Sequence, residues 1–225
     1  LVIMEDFLKD EFVKLVSEEC ALYPLITNKQ PDNLLVDAQT PGLKHVVVDS
    51  PLKEVVLSFI RCKENQSKYH YDDASAKYRR NTFIQRVLNK VDDKDEQKVL
   101  HKDIFFPAIK FWYFPDEVKE EYGPFNFVEA DMVSEPMLDF FYEQSNMIAI
   151  DAWDRSRDRS HPEGSMRIFD HEISDMGLVR KSVAVPANTL VIANVGNFHA
   201  RGNVTKEWTR NSIHGSIRIN EPFRP

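Results

Sequence analysis

His101-Lys102-Asp103-Ile104-Phe105-Phe106-Pro107-Ala108-Ile109-Lys110-Phe111-Trp112-Tyr113-Phe114 is the stretch on which the fold turns. Its second half sets Lys110, Trp112 and Phe114 against Phe111 and Tyr113, the two-residue period of a strand with two different faces. Further β-rich runs cover residues 104–106, 125–128, 147–150, 166–169, 182–185, 189–195 and 212–219. Pro115, Gly123-Pro124, Pro162, Gly164, Gly177, Pro186 and Gly202 punctuate them, as residues that end strands and make turns do. So many short strands in succession predict a sandwich, jelly roll or small barrel in the C-terminal half.

Upstream of Leu100 the period changes. Phe7, Leu8, Phe12, Leu15 and Val16 recur at three- and four-residue steps, with Asp6 where an N-cap belongs and Pro24 beyond the end, which predicts an amphipathic helix over 4–22. Residues 28–50 mix turn formers with short apolar runs and predict irregular structure with one or two short strands. Helical spacing returns over 51–62 and again over 82–91, and the charge run Asp92-Asp93-Lys94-Asp95-Glu96 reads as a solvated turn. The expectation is an α+β chain forming a single domain over 1–225, with 1–100 mainly a helical buttress packed on the sheet and 101–225 the β core.

Composition narrows the function classes. With 29 Lys and Arg against 36 Asp and Glu, the net charge of -7 provides no global basic field to attract nucleic acid or an anionic membrane. No run approaches the length of a membrane span and the opening residues lack the pattern of a secretion signal, so a soluble, cytoplasmic protein is expected. Cys20 and Cys62 are too few for a disulfide framework or a cysteine zinc site and read as free thiols.

His101 and Asp103 stand two apart, so on an extended segment an imidazole and a carboxylate face the same way and can share one metal ion. The pattern alone is weak, since 7 His and 19 Asp in 225 residues give about 0.6 such pairs by chance. A second copy occurs at His70-Tyr71-Asp72. That copy lies in a polar run and reads as a surface histidine, whereas His101 and Asp103 run directly into a strand, the rigid support a metal ligand needs. His199 follows the strongly apolar run 189–195 and can complete a two-histidine, one-carboxylate set, an arrangement that favours non-haem Fe(II). Arg210, eleven residues further on, offers a planar fork for a carboxylate.

Arrangement and spacing together resemble the Fe(II)/2-oxoglutarate-dependent oxygenases, and within them the phytanoyl-CoA dioxygenase-like family. The resemblance runs from Leu100 to Phe223. It rests on the stretch quoted above, then Asp116-Glu117-Val118, Gly123-Pro124-Phe125, Pro186-Ala187-Asn188-Thr189-Leu190-Val191-Ile192 and Phe198-His199-Ala200-Arg201-Gly202. It implies a double-stranded β-helix (a cupin-like jelly roll), with His101, Asp103 and His199 as catalytic iron ligands. Arg210 then pairs with the distal carboxylate of 2-oxoglutarate, with Trp112 beside the co-substrate. For Lys110 the resemblance leaves two readings: an aid to the co-substrate anion, or a lysine snorkelling at the barrel mouth. Arg201 likewise is either a contact to the co-substrate or substrate, or a structural salt bridge.

The implied reaction consumes O2 and 2-oxoglutarate, releases succinate and CO2, and oxidises a small-molecule substrate, hydroxylation being the default. Asp103 argues against a halogenase, in which a small residue makes room for chloride. Many relatives follow the Gly-Pro-Phe strand with Gly-Ser-His, but here the chain reads Glu129-Ala130-Asp131, so substrate identity does not transfer. The arginine-rich segment 154–164 makes an anionic substrate one candidate, although its aspartates favour a solvated loop. His214 shares a strand face with Arg210 and Ser212 and is a candidate pocket residue. A cupin-like metal enzyme without 2-oxoglutarate and a non-catalytic binding module on the same fold are the alternatives.

Overall fold

The computed structural model describes residues 1–25, 34–35, 40–46, 50–61, 76–91, 95–102, 108–129, 134–143 and 166–219. Along the chain the strands are β1 (Val2–Met4), β2 (Leu34–Leu35), β3 (Ala76–Asn89), β4 (Leu100–Lys102), β5 (Ala108–Phe114) and β6 (Phe125–Val128). They continue as β7 (Met166–Ile168), β8 (Arg180–Val183), β9 (Thr189–Asn194), β10 (His199–Arg201) and β11 (Trp208–Ile219). The helices are α1 (Asp10–Cys20), α2 (Pro41–Lys44), α3 (Leu52–Arg61), α4 (residues 135–143) and α5 (Asp170–Asp175). The strands form two antiparallel sheets, a six-stranded one in the order β1-β9-β5-β11-β3-β2 and a five-stranded one in the order β7-β4-β10-β6-β8.

Alternation along β5 sorts the chemistry. Ile109, Phe111 and Tyr113 join Ile84, Leu190, Ile192 and Ile213 on the outer face of the larger sheet, where Leu8, Val16, Cys20, Leu43, Val46 and Leu52 pack on them. The N-terminal helices thus cover the sheet as expected, each fully buried aliphatic side chain contributing about 1.5–3 kcal/mol. Lys110, Trp112 and Phe114 take the opposite face, toward the smaller sheet. β9 is buried on both faces, Leu190 and Ile192 packing in the core under the N-terminal helices and Val191 packing with Phe114, Val118 and Val185 on the other side, which explains its unbroken apolar run. On the outside of the smaller sheet, Met137 and Phe140 of α4 and Ile173 of α5 pack on Leu100, Ile168, Phe198 and Ala200.

Three sequence expectations are corrected. The helix predicted over 4–22 begins only at Asp10, because Val2, Ile3 and Met4 pair instead with Ile192, Val191 and Leu190 at the sheet edge. Asp6 is not its cap but a turn residue with φ of 50°. The helix predicted over 82–91 is part of β3, which pairs with β11 along nearly its whole length. Phe83, Ile84 and Val87 favour a pleated sheet, and the cross-strand partners on β11 override a spacing that suits either period. Asp95, read within a solvated charge run, is largely shielded from solvent and bound to Arg201. Of the other sequence readings, residues 104–106 and 147–150, the His70 copy, Cys62 and the 154–164 segment lie outside the described residues.

Candidate active site

A single ladder row crosses the smaller sheet: Arg167 on β7 lies opposite His101 on β4, which lies opposite His199 on β10, followed by Phe127 on β6 and Lys181 on β8. Directly opposed residues share a face, so register alone places the two histidines side by side. Their ring centroids are 4.8 Å apart and both residues are buried. Each Nδ1 meets a backbone carbonyl two residues earlier, His101 that of Val99 at 2.8 Å and His199 that of Asn197 at 3.1 Å. A carbonyl only accepts, so the proton sits on Nδ1 and the ligating lone pair on Nε2, the tautomer and support that metal-binding histidines use.

The histidines line a cavity of about 110 Å³ between the sheets, together with Phe125, Arg201, Gln97 and, from the facing sheet, Gln85, Lys110, Trp112, Phe114, Arg210 and His214. Five of the six residues singled out from sequence, His101, Lys110, Trp112, His199 and Arg210, therefore meet around one space. The sixth, Asp103, lies outside the described residues. Among the described residues no group of three His, Cys, Asp or Glu gathers as a metal site. Trp112 packs against Phe125 with ring centroids 5.0 Å apart and stands 6.1 Å from His199, giving the histidine pair an apolar wall. His214 stacks on Phe83 at 5.6 Å.

Arg210 is the most strained electrostatic feature of the cavity. It is buried, its Nη1 donates to the Gly123 carbonyl at 3.2 Å, and its Nε has no hydrogen-bond partner. Burial pulls its guanidinium well below the ordinary arginine range, the neighbouring Arg201 adds to this, and Asp95 opposes it. Arginine stays charged in proteins, so this direction marks a buried cation in want of an anion. Arg201, left open between two roles by the sequence, makes a part-buried ion pair: Nη1 donates to Asp95 Oδ2 at 2.8 Å and to Asn89 Oδ1 at 3.0 Å.

Two of the sequence motifs are explained by one close approach. Gly123 has φ of +80°, and a Cβ there would come 2.9 Å from the Gly202 carbonyl oxygen; a Cβ on Gly202 would meet the Pro124 carbonyl at 2.8 Å. The Gly-Pro-Phe and His-x-Arg-Gly segments thus cross backbone to backbone, which places the Gly123 carbonyl on Arg210 and His199 in its row. The sequence reading missed Gln85, Gln97, Asp95 and Arg167. Gln85 is found once β3 is read as a strand, since Phe83, Gln85, Val87 and Asn89 then share a face. Asp95 had no local signal, its partner being more than a hundred residues away.

No family model and no curated protein matches the sequence. Solved structures do match in fold. The epimerase SnoN in complex with Fe3+, alpha ketoglutarate and nogalamycin RO is similar with a TM-score of 0.53 at 14% identity, over 97% of this chain and 78% of that one. HygX from Streptomyces hygroscopicus with nickel and 2-oxoglutarate bound gives a TM-score of 0.54 at 11% identity, over 98% and 83%. The non-heme alpha ketoglutarate dependent carbocyclase SnoK gives 0.53 at 12%, over 96% and 78%. At such identities the likeness is one of fold: two antiparallel sheets with helices, arranged as in non-haem iron and 2-oxoglutarate enzymes.

Proposed function

We propose that this chain is a non-haem Fe(II)- and 2-oxoglutarate-dependent oxygenase built on a jelly roll, of the phytanoyl-CoA dioxygenase-like kind, that oxidises a small-molecule substrate. The observation that carries this reading is the pairing of His101 and His199, both with the proton on Nδ1, in one cavity with a buried Arg210 whose Nε lacks a partner. The two imidazoles suit the group: with the Asp103 carboxylate they would hold Fe(II), and the forked cation would pair with a carboxylate.

Each residue then has a physical task. Val99 and Asn197 hold the imidazole rings in orientation through their carbonyls. Arg210 binds the distal carboxylate of 2-oxoglutarate and so fixes which end of the molecule points toward the histidines. Trp112 and Phe125 exclude water beside His199 and strengthen every charge interaction nearby. Lys110, on the same face of β5 as Trp112, adds positive charge for the co-substrate anion. Iron bound there supplies O2 activation, coupling conversion of 2-oxoglutarate to succinate and CO2 with oxidation of the substrate. Hydroxylation of a C–H bond is the default outcome. SnoN was solved with nogalamycin RO and HygX with hygromycin B, and an organic metabolite is the substrate class proposed here.

Anaerobic addition of 2-oxoglutarate to the Fe(II)-loaded protein tests the reading. A visible charge-transfer band that is lost in Asp103→Ala and weakened in Arg210→Ala supports it. Iron binding without a band points to a metal enzyme that does not use 2-oxoglutarate, and no iron binding points to a binding module.

A further inference from the structure

Two guanidinium groups line the cavity, and one carboxylate stands behind them, bound to Arg201. Arg210 reaches the cavity from β11 and Arg201 from β10. Asp95 belongs to Arg201: the pair is 2.8 Å long, with side-chain exposures of only 9% and 11%. Its other oxygen, Oδ1, accepts the Gln97 backbone N–H at 2.9 Å. Asn89 braces the same guanidinium through Oδ1 and is itself tied to the Tyr122 carbonyl through Nδ2 at 3.0 Å. Next along the chain, the Gly123 carbonyl takes the Arg210 Nη1. One backbone step, Tyr122 to Gly123, therefore separates the supports of the two arginines. One positive charge is matched by a carboxylate, and the other rests on a neutral carbonyl.

A carboxylate this close to an unmatched buried cation has an electrostatic incentive to move onto it. Were Asp95 to do so, an incoming carboxylate would have to displace a competitor tethered beside the cavity at high effective concentration. We propose that Arg201 is a positioning residue that holds Asp95 in its own ion pair, leaving the Arg210 charge reserved for the carboxylate of a dicarboxylate co-substrate. This rests on reading the cavity as a 2-oxoglutarate site, and adds to it a reason why a second arginine stands there.

The test is the dissociation constant of 2-oxoglutarate, read from the anaerobic Fe(II) charge-transfer band, in four proteins. Arg201→Gln keeps a donor for Asn89 but frees Asp95, and should weaken binding roughly ten- to a hundredfold, the range of a charged hydrogen bond. Asp95→Asn in the Arg201→Gln background removes the competitor and should bring binding back to within a few-fold of wild type. Asp95→Asn alone should bind at least as tightly as wild type. If Arg201 instead touched the co-substrate, or only stabilised the fold, Asp95→Asn would fail to rescue, and that result overturns the proposal. Weakened binding in Asp95→Asn alone overturns it too, and this variant decides the matter should Arg201→Gln not fold. A wild-type protein that gives no band overturns the co-substrate reading itself and the proposal with it, an outcome distinct from normal wild-type binding without rescue.

Discussion

Asn188 and Leu8 are joined by a reciprocal pair of hydrogen bonds: Leu8 N–H donates to Asn188 Oδ1 at 2.8 Å, and Asn188 Nδ2 donates to the Leu8 carbonyl at 2.7 Å. Tyr113 adds its hydroxyl to the same Oδ1 at 3.1 Å, and Asn188 adopts φ of 61°, which asparagine tolerates better than most residues. The side chain thus fastens the segment before α1 to the turn that leads into β9. Asn188→Ala should cost on the order of 3 kcal/mol, from buried groups left unpaired and the loss of asparagine's greater tolerance of the left-handed region. Asn188→Gly, which keeps the backbone relaxed, should cost less. Urea unfolding of the two variants separates the contributions.

Gly123→Ala should damage both stability and the cavity. Its Cβ would come 2.9 Å from the Gly202 carbonyl and 3.0 Å from Val204 Cγ2. Gly177→Ala is the control, with φ of +67° and nothing within 4 Å of its Cβ. Both pay about 1–2 kcal/mol for the left-handed backbone, but only Gly123→Ala should also move the carbonyl under Arg210 and weaken 2-oxoglutarate binding. Thermal unfolding and co-substrate titration of the pair measure the difference.

The Cys20 thiol makes stability fall at alkaline pH. Burial, and then the carboxylates of Asp116 and Glu19, push it up from 9.0 to about 12, against the opposing pull of Arg86. Between those values the unfolded chain releases the proton and the folded chain keeps it, so the folded state binds more protons and stability declines as pH rises. The contribution is fully present below about pH 9 and falls by about 1.4 kcal/mol per pH unit up to about pH 12. Cys20→Ala, although less stable at neutral pH, should show a shallower decline. Denaturant midpoints at several alkaline pH values provide the comparison.

Trp112 should report on the metal. Its ring stands 6.1 Å from that of His199, while Trp208 stacks on Tyr122 at 4.4 Å. Titration with Ni(II) and 2-oxoglutarate should quench tryptophan emission in the wild type. Trp112→Phe should lose most of that quenching while calorimetry still detects binding. Unchanged quenching in the variant would locate the metal elsewhere.

What sequence could and could not reveal follows from the range of the forces involved. The inward set on β5 and the relation of His199 to Arg210 were readable because each lies within a short strand or a short span, where side-chain alternation is a local property. β3 was misread because Phe83, Ile84, Val87 and Leu88 satisfy a helical spacing as well as a strand, and only the pairing with β11 decides between them. The ion pair of Arg201 and Asp95 and the crossing of Gly123 with Gly202 depend on segments far apart in the chain. Nothing in either segment alone announces its partner.

The position of β11 has a consequence for synthesis of the protein. This last described strand lies between β5 and β3, which pair through it rather than with each other, and it carries Arg210 and His214. While the chain is still emerging from the ribosome, the two halves of the larger sheet have no shared edge, and the cavity wall they form lacks Arg210 and His214. Ligand affinity should therefore arise in one step, when β11 slots in, and a nascent chain halted before Trp208 should have no grip on the co-substrate.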